Sequence, residues 1–221
     1  AATLAQVRLR DLGISPDENT ALQDLTTALM YTAARPGAEK APVDQRQLWR
    51  FGISGDRPIV LVAAGASQGL GLLRTLAQAL RLWSWGGVGC DLVVVNAEAD
   101  SYHMALQREL AALRQKHLAE SAAQPSPDCT GFHLLRAADL SDDELGSLLS
   151  LARVRLQADG RPLLHHVLAW NEWHEQALAQ RSETSTSALA EATGPAETVA
   201  APLGEFADDG SGGFSFEVSA A

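Results

Sequence analysis

The stretch Val62-Ala-Ala-Gly65-Ala-Ser67-Gln-Gly69-Leu-Gly71 holds the residues best spaced for chemistry. It lies where an apolar run hands over to a helical pattern, and glycines at such a turn let a pyrophosphate approach the amides of a helix N-terminus. The same letters spell Gly65-Ala66-Ser67-Gln68-Gly69, a G-x-S-x-G nucleophile elbow. An elbow serine needs an acid and then a histidine downstream. Asp139 or Asp159 with His165, His166 or His174 satisfies that order, and nothing marks one pair. The histidines have a competing reading, because His165, His166 and His174 cluster with Glu172 and Glu175. His174-Glu175 is followed by Gln176, Ala177 and Leu178, so the H-E-x-x-H of a zinc helix is missing. A solvated helix with Trp170 and Trp173 turned inward accounts for the cluster.

The spacing Gly65-x-x-x-Gly69-x-Gly71 resembles the glycine motif of short-chain dehydrogenases/reductases, which implies a nicotinamide cofactor. That family delivers a proton from a Tyr-x-x-x-Lys pair. Here the residues four after Tyr31 and Tyr102 are Arg35 and Leu106, and the lysines are Lys40 and Lys116. The family's first strand normally opens the chain, whereas this one begins near Pro58, and its Asn-Ala-Gly has only Asn96-Ala97-Glu98 as a counterpart. A tight turn is the preferred reading of the glycines. Trp170-Asn171-Glu172 resembles the surroundings of acid/base glutamates in some glycosidases, with no second carboxylate at a defined separation.

The block from Leu48 to Val62 differs in kind. It joins Trp49 and Phe51, two glycines and Asp56 to the start of the first strand, where Pro58 is tolerated because that residue need not donate. One reading makes Trp49 a plug buried at the bottom of the sheet. The other makes the loop a surface offering Ser54 and Asp56 to a polar ligand such as a sugar. The plug is the expectation carried forward.

Elements must position these residues. Short apolar runs alternate with helical patterns: Ile59–Ala64 then Leu70–Trp83, Leu92–Val95 then Tyr102–Leu118, Phe132–Arg136 then Asp142–Leu151, and finally Val154–Gln157. Runs this short and apolar, joined by helices of ~10–17 residues, require a parallel sheet covered on both sides. The expected fold is α/β, a small Rossmann-like parallel sheet of about four strands with helices on both faces and right-handed crossovers. Two amphipathic helices precede it, over residues 3–12 and from Asp17 to about Ala34, separated at Gly13 to Pro16. Ser141 before Asp142-Asp143-Glu144 caps one helix, and Asp100 or Ser101 caps the helix upstream. Ser121 to Asp128 reads as a loop. The expected division is a helical segment 1–47, a Rossmann-like α/β domain 48–180, a flexible linker 181–205 rich in Ser, Thr, Ala and Glu, and residues 206–221 as the first strand of a truncated following domain. A lone strand there must find something to pair with.

Composition narrows the classes. The chain has 221 residues, 46% hydrophobic and 20% charged, which suffices for a buried core. Its net charge is −10 with the basic residues scattered, so nucleic acid is not expected as a partner. Cys90 and Cys129 allow at most one bridge and lack a C-x-x-C spacing, which fits a reducing compartment. No apolar stretch approaches the ~18–20 residues that span a bilayer, so membrane insertion by this segment is not expected. The start at Ala1 without Met suggests a trimmed chain or a fragment.

The block Leu48-Trp-Arg-Phe-Gly-Ile-Ser-Gly-Asp-Arg-Pro-Ile-Val-Leu-Val62 also resembles the cyclic β-1,2-glucan synthase family, in the part before its C-terminal cellobiose-phosphorylase-like region. The likeness continues in order through Thr3-Leu-Ala-Gln-Val-Arg-Leu-Arg-Asp-Leu-Gly-Ile14, Cys90-Asp91-Leu-Val-Val-Val-Asn96, Ser101-Tyr102, Leu106-Gln107, Leu134-Leu-Arg-Ala-Ala-Asp-Leu140 and Ala152-Arg-Val-Arg-Leu156. The tail Phe206-Ala-Asp-Asp209-Gly210-Ser-Gly212-Gly213-Phe214-Ser215 is similar to the family's Asn-Gly-x-Gly-Gly-Phe, with Asp209 in place of Asn. The glycines Gly65 to Gly71 depart from the family's more polar turn. The resemblance implies a large membrane-anchored parent on the cytoplasmic side of a bacterial inner membrane, building β-1,2-glucan from UDP-glucose, cyclising it and trimming it by phosphorolysis. It further implies that this segment holds none of that machinery, so no catalytic, cofactor-binding or metal-ligating residue and no cofactor is assigned to it. Its expected partners are neighbouring domains of the same polypeptide and β-1,2-glucan itself. The alternatives are an NAD(P)-dependent reductase using Gly65 to Gly71, and a serine hydrolase using Ser67.

Overall fold

The computed structural model describes residues 2–30, 44–99, 104–123, 130–192, 204–206 and 212–214. The chain divides into two compact units, Ala1–Ala177 and Leu178–Ala221.

The first unit is built on four parallel strands, β1 (Ile59–Ala64), β2 (Cys90–Asn96), β3 (Thr130–Arg136) and β4 (Ala152–Gln157), in the order β3-β2-β1-β4. The two central strands are buried along almost their whole length, which is why they read as unbroken apolar runs. Strand alternation sorts their side chains between two cores. Val60, Val62, Leu92, Val94 and Phe132 enter one, while Ile59, Leu61, Val93, Val95 and Leu135 enter the other. Helices α2 (Pro16–Met30), α3 (Leu70–Gly86) and α4 (Ala105–Ala123) and the start of α6 (Leu163–Ala192) cover the first face. Helix α5 (Asp142–Leu151) and a 3₁₀ helix, Gln45–Phe51, cover the second. The expected α/β sheet with helices on both faces is therefore present. Because α3 and α4 cross on one face and α5 on the other, the direction of winding reverses between β1 and β4. A fold of this kind opens its crevice there, beyond the strands' carboxyl ends.

Helix α1 (Ala2–Asp11) ends at Gly13, whose φ of +68° needs a residue without a Cβ. Ser15 and Glu18 then cap α2 reciprocally: the Glu18 amide donates to Ser15 Oγ at 3.2 Å, and the Ser15 amide donates to Glu18 Oε2 at 2.9 Å. Two bonds fasten α2 to α3. The Thr75 hydroxyl donates to Glu18 Oε1 at 3.1 Å, and Trp83 Nε1 donates to Thr26 Oγ1 at 2.7 Å. Burial pushes the Glu18 carboxyl up, but the bonds from Ser15 and Thr75 hold it below its ordinary value. The cap expected at Ser141 is present, with its hydroxyl accepting the Glu144 amide at 3.3 Å.

The ends of some elements differ from expectation: α4 continues through Ala123 into the stretch expected as a loop, and β2 begins at Cys90. Helix α6 runs past Arg181 to Ala192, into the stretch expected to be a linker, since no Gly or Pro interrupts it before Gly194-Pro195. In the second unit β5 (Gly204–Phe206) pairs antiparallel with β6 (Gly212–Phe214), a pairing within the chain of the kind a strand there requires. Asp100 and Ser101, expected to cap α4, lie outside the described residues, as do Tyr31, Lys40, Tyr102 and Cys129. At the start of α4 the Glu98 carboxylate accepts the amides of Leu106 at 3.1 Å and Gln107 at 3.0 Å. Among the described residues no helix is long and apolar enough to cross a membrane.

Candidate functional site

Trp49 is not the expected plug. It is 59% exposed, while Leu48 beside it and Ile53 are 0% exposed. The cause is the three-residue period of the 3₁₀ helix, which aligns Leu48 with Phe51 against the sheet and Arg46 with Trp49 toward solvent. Asp44 caps this helix by accepting the Arg46 amide at 3.1 Å, and its carboxylate pairs with Arg46 Nε at 3.0 Å. That guanidinium holds the Asp44 carboxyl below its ordinary value. Gly52 ends the helix at φ 75°, its amide donating to the Trp49 carbonyl at 2.9 Å. The chain folds back through Gly55, where a Cβ would strike the Gln45 side chain, and Gln45 Nε2 donates to the Ser54 carbonyl. The Ser54 hydroxyl accepts the Asp56 amide at 3.3 Å.

The outcome is an open pocket of about 520 Å³ lined by Gln45, Arg46, Trp49, Gly52, Ser54 and Asp56. An exposed indole face beside a carboxylate, a guanidinium, an amide and a hydroxyl suits a ligand with an apolar C–H face and a rim of hydroxyls. On the opposite side of the helix Arg50 Nε pairs with Glu144 Oε1 at 2.6 Å, and its Nη2 donates to the Asp139 carbonyl at 3.0 Å. This fastens the 3₁₀ helix to α5, and with it the open shelf that Trp49 and the pocket's polar rim form. The Ser141 amide, then Arg50, hold the Glu144 carboxyl below its ordinary range.

At the reversal of winding, Gly69 is buried, and a Cβ there would overlap the Ala158 carbonyl. Close packing between the turn Ser67–Gly69 and the exit of β4 accounts for this glycine, whereas Gly65 and Gly71 face open space. Beside that turn Asp159 Oδ1 lies 3.3 Å from His166 Nε2, and Asp159 Oδ2 lies 3.1 Å from Arg161 Nε. The Arg161 amide, with His166 and the Arg161 charge behind it, holds the Asp159 carboxyl low. His165 Nε2 lies 2.6 Å from Arg161 Nη1. Ser67 is exposed and shares no hydrogen bond with either histidine. Asp139 belongs with Arg50, and His174 stacks on Trp170 with 5.4 Å between ring centroids. The structure thus unites Asp159 with His166 and leaves the other residues of the hydrolase reading apart. Trp170 packs against the larger core, Trp173 is half-buried and Glu172 is exposed.

Gln45 and Arg46 are the shelf residues that sequence reading missed. Their signal was available in the spacing Arg46-x-x-Trp49 between an Asp44 cap and a Gly52 stop. No family model matches the chain. Over 115 residues, 50% of its length, the chain is 35% identical to the cyclic beta-(1,2)-glucan synthase NdvB of Rhizobium meliloti (strain 1021). That match spans 4% of the length of the relative.

Proposed function

We propose that this chain is a non-catalytic α/β connecting module of a glucan-synthase-related protein, and that it contacts β-1,2-glucan through the Trp49 shelf. The observation that carries the reading is the exposure of Trp49 inside a polar rim formed by Gln45, Arg46, Ser54 and Asp56. The local likeness to a glucan synthase supplies the sugar class. A pyranose ring lays its C–H face on the indole, and its hydroxyls donate to the Asp56 carboxylate and accept from Arg46, which Asp44 holds in place. Glucosyl transfer and phosphorolysis belong to other parts of the polypeptide, and this module docks between them.

An open shelf with one aromatic platform yields weak binding, on the order of 0.1–1 mM. A linear β-1,2-gluco-oligosaccharide titrated into the protein should give a saturable change in tryptophan fluorescence. Trp49→Ala should abolish that change, and Gly65→Ala should leave it intact because a Cβ there meets open space. A flat response, or one that survives Trp49→Ala, overturns the glucan contact. Saturable binding of NADH or NADPH would restore the reductase reading.

A further inference from the structure

Beneath the shelf lies a buried anion that the sugar contact does not use. Asp91, in β2, is 0% exposed, and neither of its carboxylate oxygens has a hydrogen-bond partner among the described residues. A carboxylate held this way is costly and calls for an explanation. Arg57 Nε lies 3.4 Å from Asp91 Oδ1, and His133 Nε2 lies 3.7 Å from the same oxygen. Opposite Asp91 in the ladder stands Gly131, where a Cβ would come 2.5 Å from Asp91 Oδ1 and 2.6 Å from His133 Nε2. β3 forgoes a side chain to make room for the pair.

Both partners hold the shelf loop, one at each end. Arg57 closes the loop, and the next residue, Pro58, offers its carbonyl to the Asp91 amide at 3.0 Å. At the other end His133 Nδ1 lies 3.3 Å from the Phe51 carbonyl, to which the tautomer protonated there donates. The same ring lies under Gly52. Between these two anchors lie Gly52, Ser54 and Asp56, which form one wall of the pocket. At 3.4 Å the Arg57–Asp91 contact is longer than an ordinary direct hydrogen bond, so the hold on Arg57 is one of charge.

We propose that Asp91 is the positioning residue of the shelf: through its charge on Arg57 and its packing against the His133 ring it sets the shape of residues 52–57 and hence the wall that meets the sugar. The part of this concerning sugar rests on the glucan reading above, and the part concerning the loop does not. Asp91→Asn keeps the side chain's shape and removes its charge. In the intact chain it should speed amide hydrogen exchange across residues 52–57 by ~10-fold or more while leaving Val62 and Val93 at the sheet centre unchanged. It should also weaken binding of a β-1,2-gluco-oligosaccharide by ~10-fold. Arg57→Gln should reproduce both effects and Arg57→Lys should rescue them, and this pair decides the matter if Asp91→Asn does not fold. Exchange that quickens equally in loop and sheet, an unaltered loop, or an Arg57→Lys variant no better than Arg57→Gln overturns the proposal. If the loop responds but the wild-type protein binds no sugar, the glucan reading falls and the hold of Asp91 on the loop stands.

Discussion

An indole that is 59% exposed contributes little to folding, whereas a leucine at 0% exposure one position earlier contributes a great deal. Trp49→Ala should therefore change the free energy of unfolding by no more than ~0.5 kcal/mol. Leu48→Ala should cost ~2–5 kcal/mol, because it leaves a cavity between the 3₁₀ helix and the sheet. Urea denaturation of the two variants checks this, and equal losses would place the ring in the core after all. At this scale the residue types were legible, since the polar pair Ser54 and Asp56 stands out in the sequence and the structure places both on the pocket. Orientation was not. Which of Leu48 and Trp49 faces inward depends on a three-residue period that two adjacent apolar residues do not reveal. The reason for Gly69 was hidden in the same way, because its crowding partner Ala158 is remote in sequence.

Elements were legible where one strong local rule decides them. Helix α5 begins where Ser141 and three acidic residues say it must, and β1 spans the apolar run Ile59–Ala64 without an offset. The reciprocal cap Ser15-x-x-Glu18 follows the same rule, but the Gly13 to Pro16 break masked it. Helix α6 continues to Ala192 because the small and polar residues that suit a linker also tolerate a helix when Gly and Pro are absent. Both caps give the protein an acid limb. The carboxyls of Glu18 and Glu144 titrate below 4.5 when folded, so their contribution is complete above that value and is lost as the pH falls through their lowered folded values. Burial likewise pushes the His117 imidazole down from 6.5, so protonation on acidification also favours the unfolded chain. Stability should accordingly decline as the pH drops from about 6.5 and fall further below about 4.5. Glu144→Gln keeps an acceptor for the Ser141 amide and removes the titration, so denaturation curves across this range should show a shallower acid decline. An unchanged slope would mean that Arg50 and the cap do not discriminate between the folded and unfolded carboxyl.

The alternation of apolar runs made the wound sheet readable for the whole molecule, but it did not show what covers the β4 side. That cover is α2, whose Leu22, Leu25 and Leu29 join the same core as Val154 and Leu156 of β4. The contacts that dock it, Glu18 with Thr75, Thr26 with Trp83 and Arg153 with the Leu29 carbonyl, join residues far apart in sequence and leave no periodic trace. Burying three leucines at ~1.5–3 kcal/mol each supplies roughly 5–9 kcal/mol. That is comparable to the entire net stability of a domain, ~5–15 kcal/mol. A chain lacking residues 1–43 should therefore lose its cooperative unfolding transition and bind a hydrophobic dye through exposed Trp83, Val154 and Leu156, although every strand of the sheet is still encoded. A truncated chain that unfolds cooperatively at the wild-type denaturant midpoint would show instead that the N-terminal helices are an appendage, and that α3, α4 and α6 alone close the larger core.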